Sequence, residues 1–320
     1  VRWPPAADVL STTTPAQWQL VWHDEFEGCA IDRSKWDFEL GNGFMDSWSG
    51  SWVPGWGNEE LQCYTDTPGN LAVHDGLLHV RALRESVQGC QYTSARIRTR
   101  RADGAALFAG RYGRFEFRAR APVGKGLWSA LWMLPQQQVY GPWPASGEID
   151  VMEVVGDRPE QYLGSLHFGA SYPRNHHITH THRFADGSSV ADFHLYSLEW
   201  EPGEIRWLVD DQLWARQGFW WSSSQRRGSR GLVPRSAADL NPWPAPFDQP
   251  FHIVINLAVG GRLPGEPDER TAFPAELQVD FVRVYTRDGG DAPLRPRQRG
   301  RFPYSRPRTA RSNQPGEVSR

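Results

Sequence analysis

At 320 residues, with 37 Asp and Glu against 35 Lys and Arg, the chain carries a formal net charge of −2. Its isoelectric point near 6.6 leaves no overall basic footprint for nucleic acid. No apolar run reaches about 18 residues, so no segment reads as a membrane span.

Three cysteines (Cys29, Cys63, Cys90) allow at most one internal disulfide. Usage this low fits a cytosolic protein and an exported bacterial one equally well. Sixteen tryptophans are a high count, and cleft indoles are platforms for flat apolar faces, sugar rings included. Length alone would permit two domains, but all-β sandwiches pass 200 residues as one unit. The start at Val1, without initiator Met or signal peptide, reads as a mature or trimmed form.

In chain order, residues 1–17 are Pro/Ser/Thr-rich and read as an extended arm. From 18 to 287, short runs are bounded by Gly, Pro, Asn and Asp. The predicted strands are Trp18–Phe26, Leu77–Arg84, Thr93–Arg101, Gly113–Ala121, Leu127–Leu134 and Glu148–Val155, then Leu163–Phe168, His194–Trp200, Ile205–Val209, Phe251–Val259 and Gln278–Thr286. Arg114–Arg120 places aromatics and charges on opposite faces. No long amphipathic helix and no fixed-period repeat is present, so the pattern is that of an all-β sandwich or barrel.

Asn175–His182 (NHHITHTH) reads as a loop near the cleft whose histidines form hydrogen bonds. His180 and His182 share a face, but no carboxylate or Cys accompanies them to complete a metal site. Ser222–Ala237 reads as an exposed, protease-sensitive basic loop. Residues 288–320 read as a basic, disordered tail.

The segment Ser146–Gly156 (SGEIDVMEVVG) carries three carboxylates. In a regular strand Glu148 and Asp150 share one face and Glu153 points to the other. The apolar neighbours Ile149, Val151, Val154 and Val155 indicate a central strand. Acids there belong to a cleft, because buried unpaired charge is costly. A β-bulge at Val151–Met152 restores the phase and puts all three on one side. The Cα atoms of Glu148 and Glu153 are then about 13 Å apart at roughly 3.3 Å per residue. Inward-leaning side chains bring the carboxyls to about 5–6 Å, close to the retaining-glycosidase separation of about 5–5.5 Å.

An ordered series of motifs resembles glycoside hydrolase family 16, and within it the laminarinase-like endo-β-1,3-glucanases. It comprises Trp22–Phe26, Trp56–Gln62 with Tyr64, Tyr92–Ile97, Tyr112–Glu116, Gly124–Pro135, Trp143–Glu153, Leu166–Gly169, Phe193–His194 with Tyr196, Asn256–Gly261 and Asp280–Tyr285. The resemblance covers about residues 18–287. It implies a β-jelly-roll sandwich of two antiparallel sheets with a concave cleft, and retaining chemistry. Glu148 would be the nucleophile, Glu153 the acid/base and Asp150 the assisting carboxylate. The inserted Met152 resembles the laminarinase and agarase branches.

By the same resemblance Trp143 stacks on the sugar beside the scissile bond. Asn58 and Glu59 bind hydroxyls, and Trp128, Trp132 and His167 line the cleft. The alternation places Trp128 and Trp132 on one face without saying which. The chemistry requires no cofactor. The resemblance does imply a structural calcium held by Glu25, Gly69 and Asp280, two of them through backbone carbonyls, an oxygen-only set suited to that ion.

The expected partner is a β-glucan polysaccharide, and the expected form is a secreted, periplasmic or cell-surface monomer. Two other functions fit this scaffold: a glucan-binding protein without catalysis, and a galactan hydrolase acting on agarose or carrageenan. The three retained acids favour the enzyme. Of the possible disulfides, Cys63–Cys90 is weakly preferred, since each cysteine precedes one of two neighbouring strands.

Overall fold

Alternation within single strands builds two layers. In Gly113–Arg120, Phe115, Phe117 and Ala119 are fully buried. The intervening Arg114 and Glu116 pair with each other on the opposite face. In Leu127–Pro135, Leu127, Leu131 and Met133 enter the core while Trp128 and Trp132 stay half-buried on the other side. The computed structural model describes residues 18–185, 187–223 and 237–287. The expected arm 1–17 and tail 288–320 lie outside the described residues, as does most of the expected loop 222–237. The first two residues of that loop, Ser222 and Ser223, are buried rather than exposed. The Ser222 hydroxyl donates to the Ala145 carbonyl at 3.1 Å.

The larger sheet runs β17 (Gln212–Gln217), β16 (Glu204–Val209), β15 (His194–Glu201), β10 (Gly113–Arg120), β19 (Ala275–Arg287), β7 (Leu77–Ala82) and β6 (Leu71–His74), with β1 (Trp18–Asp24) on β19. The second runs β14 (Asn175–Arg183), β13 (Gln161–Gly169), β12 (Glu148–Val155), β11 (Leu127–Pro135), β18 (Phe251–Val259), β9 (Arg96–Arg98) and β2 (Asp37–Phe38). All pairings within both sheets are antiparallel. Two ribbons complete the described strands: β3 (Gly43–Met45) with β4 (Trp52–Pro54), and β5 (Gln62–Tyr64) with β8 (Tyr92–Ser94). This is the expected all-β jelly-roll sandwich, whose second sheet lines the concave cleft.

Side chains from the two inner faces interlock in one core, with Phe115, Phe117, Trp200, Ile205 and Trp207 meeting Leu131, Met133, Ile149, Ile253 and Ile255. Each such fully buried side chain stabilises the fold by about 1.5–3 kcal/mol relative to exposure. Cys63 and Cys90 form a disulfide with Cα atoms 5.7 Å apart, while Cys29 is exposed and free.

Two expectations need correction. The single strand expected over Thr93–Arg101 divides, because β8 pairs with β5 while β9 joins the cleft sheet. The histidine run is not a loop but the edge strand β14. Its alternation turns His176, His180 and His182 inward, with ring centroids 5.4, 5.5 and 5.4 Å from Trp221, Trp207 and Trp214. His180 and His182 do share a face, but it is packed against aromatic rings. Among the described residues neither belongs to a cluster of metal-ligating groups.

Candidate active site

The cluster begins with a backbone irregularity. Asp150 faces Ser165 of β13 and Glu153 faces Leu163, so Val151 and Met152 together oppose the single residue Gly164. On the other side Leu131 faces Met152 and Trp132 faces Asp150. That is the expected bulge, and it changes the facing of everything after it. Ile149, Met152 and Val154 are buried in the core. Glu148, Asp150 and Glu153 share the cleft face.

Gly164 fits this place because a Cβ there would lie 2.6 Å from Cδ1 of Trp207. The Trp207 indole fills that space and donates to the Asp150 carbonyl at 2.9 Å, satisfying a backbone acceptor inside the bulged strand.

Each carboxylate has its own surroundings. The Trp143 indole donates to Glu148 at 2.6 Å. His167, abreast of Glu148 on β13, places Nε2 3.7 Å from Glu148 and 3.3 Å from Asp150. The Trp128 indole donates to Glu153 at 3.2 Å. The Ser165 hydroxyl, 3.3 Å away, donates to the other Glu153 oxygen. Ser165 is in turn 3.1 Å from the Thr179 hydroxyl.

Burial, and after it the charge of Asp150, pushes Glu153 up to about 8. Burial, and after it Glu148, pushes Asp150 up to about 6. Burial also raises Glu148, against the pull of the His167 charge and the Trp143 N–H. Burial alone would lower His167, yet Glu148, Asp150 and Glu153 together raise it to about 10. These carboxylates favour the protonated ring, which places positive charge beside Glu148 and Asp150. The two carboxylates and the ring bring ligand atoms within 4.8 Å of one another. Glu153, outside that cluster, holds its proton more firmly than Asp150.

The other expected residues divide into those brought together and those not. Trp143 is 39% exposed and lies 5.8 Å, ring to ring, from His167, so its free face lines the cleft. Trp128 and Trp132 both turn to the cleft face. The Trp132 indole donates to Asn256 at 2.7 Å, and Asn256 donates to the Tyr64 hydroxyl at 3.1 Å. Tyr64 and Gln62 donate to Glu60 at 3.1 and 2.7 Å. Asn58 also donates to Glu60, at 3.3 Å. The Glu59 carboxylate pairs with Arg262 at 3.0 Å on the exposed rim.

The buried acid of that motif is thus Glu60. The Arg96 guanidinium sits between the Trp56 and Trp132 rings, 4.5 and 4.8 Å from their centroids, and pairs with Glu39. Glu60, Arg96, Asn256 and Ser165 were not singled out from the sequence. The first three stand inside the quoted motifs, which was the available signal. Ser165 becomes visible only through strand register.

The calcium set is not assembled by side chains. Both Glu25 oxygens bond Arg283, at 2.9 and 2.7 Å, and Asp280 pairs with Arg118. Each of these two carboxylates has a guanidinium partner, so an oxygen cage here would draw on the backbone carbonyls of the set.

Comparison with known proteins agrees with this geometry. Residues 64–218 match Glycosyl hydrolases family 16. The beta-glucanase of Rhodothermus marinus is 43% identical over 279 residues, covering 84% of this chain and 85% of that protein. The glucan endo-1,3-beta-glucosidase A1 of Niallia circulans is 42% identical over 275 residues and 83% of this chain, which spans only 37% of that longer protein. The solved catalytic domain of an endo-1,3-beta-glucanase (laminarinase) from Thermotoga petrophila RKU-1 superposes with a TM-score of 0.68 at 38% identity, over 85% of this chain and 99% of that one. A jelly-roll sandwich with carboxylates on its cleft sheet defines the class, a carbohydrate-active β-sandwich enzyme. The chain belongs to glycosyl hydrolases family 16.

Proposed function

We propose that this glycoside hydrolase cleaves β-1,3-glucosidic bonds within β-glucans, of laminarin or mixed-linkage type, with retention of configuration. The observation that carries the reading is the bulge that turns Glu148, Asp150 and Glu153 onto one face in unlike environments. Glu148, beside an imidazolium and an indole N–H, attacks the anomeric carbon as the carboxylate. Glu153, kept protonated near neutrality, gives its proton to the departing glycosidic oxygen. The chain is then held as a glycosyl ester on Glu148. The Glu153 carboxylate next takes a proton from water, whose oxygen attacks the anomeric carbon and frees Glu148. Asp150 acts through charge, keeping Glu153 protonated until the transition state.

The exposed face of Trp143 stacks on the sugar beside the bond. Asn58 and Trp132 hold the chain through the network that joins Glu60 to Asn256, and Trp128 does so from beside Glu153. Glu59 contributes from the rim.

The catalytic unit is residues 18–287, acting as a monomer outside the cytoplasm. The Cys63–Cys90 disulfide suits that compartment, and among the described residues no helix is long and apolar enough to cross a membrane. Reducing-sugar release from laminarin, lichenan and agarose tests the reading. Release from the first two supports it, and release from agarose alone points to a galactan. Laminarin binding without release points to a binding protein.

A further inference from the structure

The cleft sheet continues well past the carboxylates. On β18, His252 faces Leu134 of β11, and Val254 faces Arg98 of β9. The Thr99 amide donates to the Ile253 carbonyl at 3.0 Å, so the next residue, Arg100, comes abreast of His252. Ile97, Thr99, Ile253 and Ile255 are fully buried on the core side. Alternation therefore places Arg96, Arg98, Arg100 and His252 on the cleft face. From β12 to β9 is three strand spacings, about 14 Å.

Cation is in excess at this end. Arg96 and Arg98 share one carboxylate, Glu39. Asp37 is taken by Arg33 at 2.6 Å and by the Ala102 amide at 2.9 Å. Asp103 accepts from the Ala105 amide at 2.9 Å. Among the described residues Arg100 has no ion-pair partner, and its Nε is buried without a hydrogen bond. His252 is 3% exposed; neither ring nitrogen makes a well-formed hydrogen bond, and the Pro135 backbone is the acceptor that acts on the ring. The nearby loop is drawn in, since Gln136 Nε2 donates to the Gly104 carbonyl at 2.9 Å while Gln136 Oε1 is buried and unbonded. Burial, and after it Arg98, holds the Arg100 guanidinium below its usual range against the longer-range pull of Glu39 and Asp103. Burial, and after it Arg100, keeps His252 neutral.

We propose that Arg100, backed by His252 and Gln136, is a binding site for an acidic sugar of the substrate chain, one bearing a carboxylate or sulfate, three strand spacings from Glu148. The guanidinium takes the anion, a bidentate match for either group. Gln136 and His252 close the site behind the guanidinium, and the bound anion relieves its unpaired charge. The inference rests on the cleft being a β-glucan site and adds tolerance of, and preference for, anionic substituents at its far end.

The test compares kcat/KM on laminarin, carboxymethyl-β-1,3-glucan and sulfated laminarin for the parent and for Arg100→Gln. The expected result is a loss on the order of ten-fold on one or both anionic polymers, with laminarin unchanged within about two-fold. That anionic preference should also weaken as salt rises. The polymer that responds identifies carboxylate or sulfate. Arg100→Lys, which keeps the charge and loses the fork, should fall between, and it serves if the Gln variant is unstable. An equal loss on all three polymers, or no loss on any, overturns the inference. No hydrolysis of laminarin by the parent would overturn the proposed function instead.

Discussion

Gly164→Ala tests the link between the bulge and the chemistry. The added Cβ would stand 2.6 and 2.7 Å from Cδ1 and Nε1 of Trp207, where carbon contacts settle at about 3.5–4.0 Å. Something must move by about 1 Å. Trp207 is fully buried, and its indole N–H is tied to the Asp150 carbonyl. Overpacking of this kind costs about 1–3 kcal/mol, and loss of the Trp207 bond to the Asp150 carbonyl leaves a buried acceptor costing about 1–3 kcal/mol more.

For a domain of this size each kcal/mol lowers Tm by about 2–4 °C, so the combined cost of about 2–6 kcal/mol should lower Tm by about 4–24 °C, read by circular dichroism. A 1 Å displacement of a catalytic group costs about a hundred-fold. kcat on laminarin, measured well below the new Tm, should fall by that order. Trp207→Phe loses the pyrrole ring together with its N–H, trading overpacking for a cavity, and a fall in kcat there too would show that the indole holds the bulged strand. An Ala variant with parental Tm and kcat would refute the claim that Gly164 and Trp207 set the position of the carboxylates.

Glu148→Gln should abolish turnover while laminarin binding, followed by affinity electrophoresis, persists, because one oxygen-to-nitrogen exchange barely changes packing; hydrolysis near the parental rate would remove Glu148 from its role. Glu153→Ala should lose activity on laminarin and regain it with azide on substrates with good leaving groups; absence of rescue would count against Glu153 as the acid/base. In Ser165→Ala the ionised form of Glu153 loses a donor, so its pKa rises above about 8. The basic limb of the kcat/KM profile should then move up by about one pH unit, with the acidic limb in place. A limb that stays or moves down would show that Ser165 does not act on Glu153.

Much was legible because short-range chemistry repeats along the chain. Period-two runs such as Arg114–Arg120 and Leu127–Leu134 declared strands and faces before any partner was known. The conflict between three acids and a regular pleat demanded the bulge that β12 contains. The motif from Trp143 to Glu153 named the cleft.

What stayed hidden depends on register and on layers, which the chain reaches only by pairing strands distant in sequence. His176–His182 looks polar and loop-like in isolation. It is a strand because β13 offers an edge and three aromatic rings wait beneath it. Ser165 joins Glu153, and Gly164 makes room for Trp207, only because β13 lies beside β12 and the second sheet packs below. The acid of the Asn58–Glu60 motif that enters the site is Glu60, since burial beside Tyr64 and Asn256 is decided by the fold and not by spacing. The side chains of Glu25 and Asp280 likewise meet Arg283 and Arg118 only because neighbouring strands set a guanidinium opposite each. Sequence alone determined the strand pattern and which residue types could do chemistry. Pairing and packing, which fix distance and dielectric, decided which of them meet and which hold a proton.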